Sequence, residues 1–370
     1  MTTPLFGQTL TQLQALCQAE GLPRYAARQL CDWMYAKRVE DFDAMTNLSL
    51  STRALLKQRY GTVGRRQPVL VQTATDGTRK YLFAVADTPA AEHPVAAPAM
   101  PTADTHNHVE AVFIPAQERA TLCVSCQRGC KMGCRFCVTG QQGFHGNLSA
   151  ADILNQIYSI AESQQLTNVV FMGMGEPLDN YDAIRQTLEI ITAPWGLAWS
   201  PHRLTVSTVG ITPMLRRLLD ECQCHVAVSL HNPIGDERAQ IMPMQRAYPI
   251  EQTISLLKQY DWSGQRRISF EYTMMQGIND DRRHAQALVR LLRGLHCRVN
   301  LIRFHTSEGM PYRSSDEATM NRFRDQLNAA GLTCTIRASR GEDIMAACGL
   351  LAGQHKENPV AEIANLKRTV

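Results

Sequence analysis

Cys130, Cys134 and Cys137 form a Cys-x3-Cys-x2-Cys triplet within Gly129-Cys130-Lys131-Met132-Gly133-Cys134-Arg135-Phe136-Cys137. Three thiolates on one eight-residue stretch can hold three irons of a cubane cluster. Cluster ligation ordinarily uses four thiolates, so an iron without a local cysteine implies an exogenous ligand and chemistry rather than electron storage. Gly129 and Gly133 relieve backbone crowding where a loop wraps closely around a bulky cluster. Structural zinc and buried free cysteines are the competing explanations. Zinc sites usually pair two short Cys/His clips across a longer gap, and no second clip of that kind is obvious here.

Other residues could do chemistry in company with the triplet. Gly173-Met174-Gly175-Glu176-Pro177 follows an apolar strand-like run. Glycines there let backbone groups approach a ligand, and Glu176 can accept from a cationic amine, although an ordinary tight turn has the same composition. Ser207 and Ser229-Leu230-His231 each end a further strand candidate. Both could hydrogen-bond a ribose or a carboxylate, and each alone reads equally as a strand-end polar residue. Cys123 lies seven residues before the triplet, and Cys348 lies in the glycine-flanked stretch 340–353. A single cysteine is commonly a small buried hydrophobe. Glu110 is an unremarkable acid in isolation.

The chain that must position these groups has 370 residues, with 44% hydrophobic and 19% charged. Those values predict a globular protein with one large catalytic domain and a small accessory one. The N-terminus lacks a secretory pattern, and no uncharged apolar run reaches membrane-spanning length. Twelve cysteines in a chain this long suit a reducing cytoplasm, with metal binding or catalysis as their use. Net charge is +4, and residues 1–70 carry nine Lys/Arg against five acids. A basic N-terminal segment fits a polyanion such as RNA, and equally a solvated face with no partner.

Residues 8–60 read as helices, including one over 25–37, and 68–87 and 108–115 read as strands. An Ala-, Pro- and Thr-rich loop at 87–107 separates the last two strands. A strand–helix rhythm begins near residue 119, with strands at 120–125, 168–172, 203–207, 225–230, 268–274 and 298–302. Helices at 150–162, 181–191, 212–220, 250–260 and 282–295 alternate with them. Ser149 and Asp152 mark the N-cap and N3 positions of the first. A further helix near 316–330 and a strand at 333–337 follow. The pattern predicts an α/β fold whose parallel sheet curls as an incomplete (β/α)6 barrel. Reactive loops of such barrels follow the C-terminal ends of strands, where the triplet lies. The expected organisation is a helical domain at 1–66, a β extension at 67–115, the catalytic domain at 116–353 and a tail at 354–370.

The triplet's spacing resembles the radical S-adenosylmethionine (SAM) superfamily, and the wider set of residues resembles its RlmN family of RNA adenine methyltransferases. The likeness is carried by Phe42–Ser49, Glu118–Ser125, the triplet, Gln141–Phe144, Gly173–Leu178, Val206–Thr208, Ser229–His231 and the 340–353 stretch, in that order. It implies a [4Fe-4S] cluster on Cys130, Cys134 and Cys137 with SAM chelating the fourth iron, and two SAM per turnover. Gly175, Glu176, Ser207, Ser229, Leu230, His231 and His305 are the implied SAM contacts. One SAM methylates Cys348; a radical from the second activates that methyl for addition to C2 of an adenine. Glu110 then removes the C2 proton, and Cys123 attacks the Cys348 sulfur to release the covalent RNA adduct. The implied substrates are 23S rRNA, in its peptidyl-transferase loop, and tRNA, at the adenosine 3′ of the anticodon. A flavodoxin-like electron donor, a monomeric state and a cytoplasmic location are also expected.

Adenine C2 is electron-poor and has no nucleophile to offer, so carbon-radical addition suits it where polar methyl transfer does not. Some positions depart from the family pattern. Cys126 stands where relatives usually have Ser, as a spare ligand or, the preferred reading, a bystander. His305 stands where many relatives place an Asn, though its ring can still donate a hydrogen bond. Two rivals remain: a Cfr-type enzyme acting at C8 of the same adenosine, and an iron–sulfur RNA-binding or redox-sensing protein without methyltransferase activity.

Overall fold

The computed structural model describes residues 4–85, 107–307, 309–346 and 350–351. Cys348, most of the Ala/Pro-rich segment and the expected tail lie outside the described residues. The helical N-terminal part comprises α1 (Leu10–Ala19), α2 (Ala26–Cys31) and α3 (Leu50–Tyr60). Thr9 and Gln12 close a capping box on α1, and Ser49 caps α3 through the Thr52 N–H. The helix expected at 25–37 is continuous, but it widens into a π-helical turn over Asp32–Ala36.

Aromatic packing fastens this part to the rest of the chain. The Phe6 and Tyr158 rings meet edge-on at 5.2 Å, and Tyr35 packs beside both. Arg65 donates to the Tyr158 carbonyl at 2.7 Å, and Arg66 pairs with Asp152.

A β extension follows: β1 (Leu70–Thr73), β2 (Arg79–Ala84) and β3 (His108–Ala116), antiparallel to one another and to β4 (Arg119–Cys123). A small hairpin, β5 (Gln127–Gly129) with β6 (Phe144–Asn147), encloses the triplet and the short helix α4 (Val138–Gln141). The alternating part then runs α5 (Ala150–Tyr158), β7 (Asn168–Phe171), α6 (Tyr181–Thr192), β8 (Leu204–Thr208), α7 (Thr212–Glu221), β9 (His225–Ser229), α8 (Gly235–Ile241), α9 (Ile250–Leu257), β10 (Ile268–Met274), α10 (Arg282–Leu292), β11 (Arg298–Arg303), α11 (Glu317–Ala329) and β12 (Cys334–Ile336).

The ten-stranded sheet has the order β1-β2-β3-β4-β7-β8-β9-β10-β11-β12 and does not close on itself. From β4 onward every pair is parallel. This is the expected incomplete six-strand barrel, extended by a seventh parallel strand at one edge and the antiparallel meander at the other. The Ser149–Asp152 capping box at α5 is present as the sequence predicts.

Strand alternation explains which face is which. Val206, Val226, Val228, Phe270, Tyr272, Val299 and Leu301 are buried on one face of their strands. Ser207, Ser229, Ser269, Glu271, Thr273 and Asn300 lie on the other face in matched register.

The sequence did not reveal the β5–β6 hairpin or α8. The hairpin strands are three and four residues long and rich in Gly, with no alternation to read. In α8 the residues turned inward are Arg238 and Ile241, so a charge occupies the position that patterning reserves for an apolar side chain. Among the described residues no helix is long and apolar enough to cross a membrane.

Candidate active site

The cysteine loop leaves the C-terminal end of β4 and is stitched to the loop after β7. Backbone bonds run from Val124 N to Val170 O at 2.9 Å and from Cys126 N to Met174 O at 2.8 Å. Ser125 is fully buried; its hydroxyl donates to the Glu110 carbonyl at 2.6 Å and accepts from Met174 N at 2.8 Å. Gln127 accepts from Glu176 N at 2.9 Å and donates to Asp179 and Asn147. This close approach explains the glycines after β7. A Cβ at Gly173 would lie 2.7 Å from Ser125 Oγ, and one at Gly175, where φ is +100°, 2.5 Å from Gln127 Cβ. The glycine signal is legible in the sequence, whereas nothing there assigns this bracing role to Ser125 or Gln127.

The triplet itself is gathered by the β5–β6 hairpin. Cys130 N donates to Gly143 O at 2.7 Å, and Arg135 N donates to Ile241 O at 2.9 Å, which holds the loop against the end of α8. At Gly129, with φ of +68°, an added Cβ would sit 1.9 Å from Gly143 O. The 141–144 stretch thus runs from the end of α4 into the return strand β6, and the loop folds against it at Gly143; the Lys131 ammonium lies 4.2 Å from the Phe144 ring centroid.

Among the described residues no three His, Cys, Asp or Glu side chains converge as a single ion requires. A cubane cluster takes each thiolate at a different iron and needs no such convergence. Burial pushes the Cys130 thiol up to about 12 and also raises that of Cys134 well above the usual thiol range, with repulsion from the neighbouring sulfurs adding to both. Left without metal, these thiols hold their protons; iron would supply the positive charge that ionises them. Three soft donors on a loop that only glycine can turn at Gly129 fit an iron–sulfur cluster.

Arg238 is the residue that sequence reasoning missed. It is fully buried and spends its donors on four acceptors: Leu230 O at 2.9 Å, Ser229 O at 2.9 Å, Val209 O at 3.0 Å and Gln245 Oε1 at 2.6 Å. It therefore ties the ends of β8 and β9 together beneath the cysteine loop. Burial lowers its pKa to about 10, opposed first by the neighbouring Cys134.

Of the expected SAM contacts, Ser207 and Ser229 share the polar face of the sheet, on adjacent strands. Glu176 is buried, and its carboxylate accepts from Leu178 N at 3.1 Å and Val209 N at 2.9 Å. It braces two loops here, and burial raises its pKa to about 7. Leu230 is buried beside Arg238. His231 has φ of +55°, is buried, accepts from Thr273 N through Nδ1 at 2.9 Å, and meets the Phe136 ring edge-on at 4.7 Å. Burial lowers its pKa to about 3, so the ring is neutral. His305 lies beyond the end of β11, its Nε2 3.2 Å from Ser339 Oγ.

Glu110 and Cys123 come together as neighbours on the β3–β4 ladder. Val112 faces Cys123, and the ladder continues to place Glu110 opposite Ser125, on the same face of the sheet. Glu110 is buried and pairs with Lys80 at 3.3 Å, a partner that no motif predicted. Cys348 falls outside the described residues. On either side of it, Ala346 N donates to Gly341 O at 2.8 Å, and Leu351 O accepts from Thr139 Oγ1 at 2.6 Å. Thr139 lies two residues after Cys137. Cys126 is buried with its thiol 3.6 Å from Met174 O.

The model described as "Radical SAM superfamily" matches residues 124–288, and that described as "Ribosomal RNA large subunit methyltransferase N-terminal domain" matches residues 3–61. A protein of Bacteroides thetaiotaomicron named probable dual-specificity RNA methyltransferase RlmN is 51% identical over 96% of this chain and 97% of its own length. The dual-specificity RNA methyltransferase RlmN of Syntrophus aciditrophicus is 36% identical over 94% of this chain and 96% of its own. The crystal structure of a radical SAM methyltransferase from Sphaerobacter thermophilus superposes with a TM-score of 0.85 at 38% identity, covering 95% of this chain and all of that one.

Two outcomes are expected from this geometry. Gly129→Ala should keep the far-ultraviolet circular dichroism of the fold but lose most of the iron bound on anaerobic reconstitution, read by visible absorption. Arg238→Met, which strands four buried acceptors, should lower stability by about 3–5 kcal/mol in denaturant titration.

Proposed function

The chain belongs to the RlmN family of radical SAM RNA methyltransferases, and from that premise we propose that it methylates C2 of adenosine, in 23S rRNA and in tRNA, through a methylated Cys348 and a covalent protein–RNA adduct. It is a SAM-dependent RNA methyltransferase, and its family carries a [4Fe-4S] cluster together with SAM. When bound, these supply a carbon radical by one-electron cleavage of SAM.

Cys130, Cys134 and Cys137 are the residues that hold the cluster. Ser207 and Ser229, on the polar sheet face, and the loop segments at Gly175–Glu176, Leu230–His231 and His305 surround SAM. Neutral His231 cannot add a competing positive charge there, and its contact with Phe136 fixes the position of the cysteine loop.

The observation that carries the reading is the shared sheet face of Glu110 and Cys123, beside the loop of the triplet. After the methyl carbon of Cys348 bonds to adenine C2, Glu110 accepts the C2 proton, with Lys80 as the counter-charge beside the carboxylate, and the unpaired electron left on the ring would return to the cluster, so that a closed-shell thioether adduct remains. The Cys123 thiolate then attacks the Cys348 sulfur. The carbon–sulfur bond breaks, its electron pair goes to the methylene carbon, and that carbon takes a proton to become the methyl group. A Cys123–Cys348 disulfide remains, to be reduced before the next cycle. The exposed RNA loops proposed as substrates allow the target base to be splayed out of its stack.

Mapping the product methyl by mass spectrometry and NMR tests the position: 2-methyladenosine is expected, and 8-methyladenosine would assign the chain to Cfr-type chemistry instead. Cys123→Ala should accumulate a protein–RNA adduct that resists denaturing electrophoresis. Free methylated RNA at normal yield from that variant would remove Cys123 from the release step.

A further inference from the structure

The positive charge available to RNA is not where the sequence most readily suggests. Residues 1–70 carry nine cations. Five of them, Lys37, Lys57, Arg59, Arg65 and Arg66, are in ion pairs. Arg65 and Arg66 also bind the helical part to the barrel. Residues 281–340, by contrast, hold eleven Arg and no Lys against five acids, a net charge of +6. The rest of the chain offsets this excess, so total charge conceals it.

Part of that excess is concentrated in one groove on the outer wall of the barrel. The groove lies between α10 and α11 and has a volume of about 540 Å³. Its floor is Ala285, Val289, Ala329 and Ala330, and its rim includes Arg282, Arg290 and Arg293. All three arginines are exposed, and among the described residues none of their side chains makes an ion pair or a hydrogen bond. Arg282 opens α10 and Arg290 lies in its last turn, separated by about 12 Å of rise, and Arg293 caps the C-terminal end of the helix. That distance matches roughly three to four phosphates along one strand of a duplex at about 3.4 Å each.

We propose that the α10–α11 groove is a second RNA-binding surface, which grips the phosphodiester backbone of the substrate away from the reacting adenosine. Charge complementarity selects the occupant. Guanidinium groups with no internal partner offer bidentate donors to phosphate, and the small apolar floor admits a single backbone strand without base-specific contact. The surface serves long RNA, whose chain continues beyond the target stem–loop and so has backbone to lay along the outer wall. The proposal rests on RNA being the substrate of this chain.

The test is the triple variant Arg282→Gln, Arg290→Gln, Arg293→Gln, compared with the unaltered holoenzyme on two RNAs: a protein-free 23S rRNA transcript and the target stem–loop alone. Filter binding across a salt series reads affinity without catalysis. For the long RNA, the slope of log affinity against log salt should fall by about 2 to 3, at about 0.7–0.9 for each phosphate that is no longer neutralised. Its KM should rise, while its kcat, stem–loop methylation and RNA-free SAM cleavage stay unchanged. Arg→Lys at the same three positions should restore most of the salt slope, because an ammonium still binds phosphate as a point charge.

Unchanged affinity for the long RNA would overturn the proposal, as would an equal loss on both RNAs. Intact RNA binding with a fall only in reductant-driven turnover would assign the groove to an acidic protein and also overturn it. Failure of the unaltered enzyme to methylate either RNA would refute the substrate reading, while filter binding would still report on the groove.

Discussion

A single buried guanidinium sets the arrangement on which the active site depends. Arg238 has no exposed surface and, among the described residues, no carboxylate directly paired with it; its charge is solvated by three main-chain carbonyls and one side-chain amide. A cation removed from water is tolerated only where such acceptors are already fixed. They are fixed here because two parallel strands end at the same level. Val209 just beyond β8 and Ser229 and Leu230 at the end of β9 present their carbonyls to one point. The same strand ends carry Ser207, Ser229 and His231, so the residue that joins the strands also sets the spacing of the polar groups above them.

The cysteine loop is held from two sides in consequence. Its Arg135 N–H docks on the end of α8, the helix that carries Arg238, and its Phe136 ring meets His231. On the opposite side Ser125 and Gln127 bind it to the loop after β7 and to the Glu110 strand. Glu110, Cys123 and the cysteine triplet therefore belong to one hydrogen-bonded unit rather than to three independent loops. Supporting bonds of this kind hold reactive groups in position before substrate arrives. Thr139, bonded to Leu351 O, extends the unit toward the C-terminal stretch.

Charge is arranged with similar economy. The polar interior of the sheet buries Glu271 against Ser269, Asn300 and Arg337. The N-terminal cations are largely committed to internal pairs. The unpaired arginines face outward between α10 and α11, where a polyanion can meet them without displacing any internal partner.

Sequence alone pointed to a cluster-binding loop and to the architecture that carries it. The spacing of Cys130, Cys134 and Cys137 is a local property of one loop, and the alternation of apolar strands with amphipathic helices is a local periodicity. Both survive without knowledge of neighbours, and so does the Ser149–Asp152 cap. Tertiary structure alone decided which distant residues act together. Arg238 is a charge in a short helix with little apolar pattern, and nothing local marks it as buried until four acceptors from three separate segments surround it. Lys80 becomes the partner of Glu110 only through the β2–β3 register, and Glu176 becomes a brace only because Val209 N lies within reach. Hydrogen bonds between residues far apart in sequence depend on strand order and register, and these are set by the whole sheet at once.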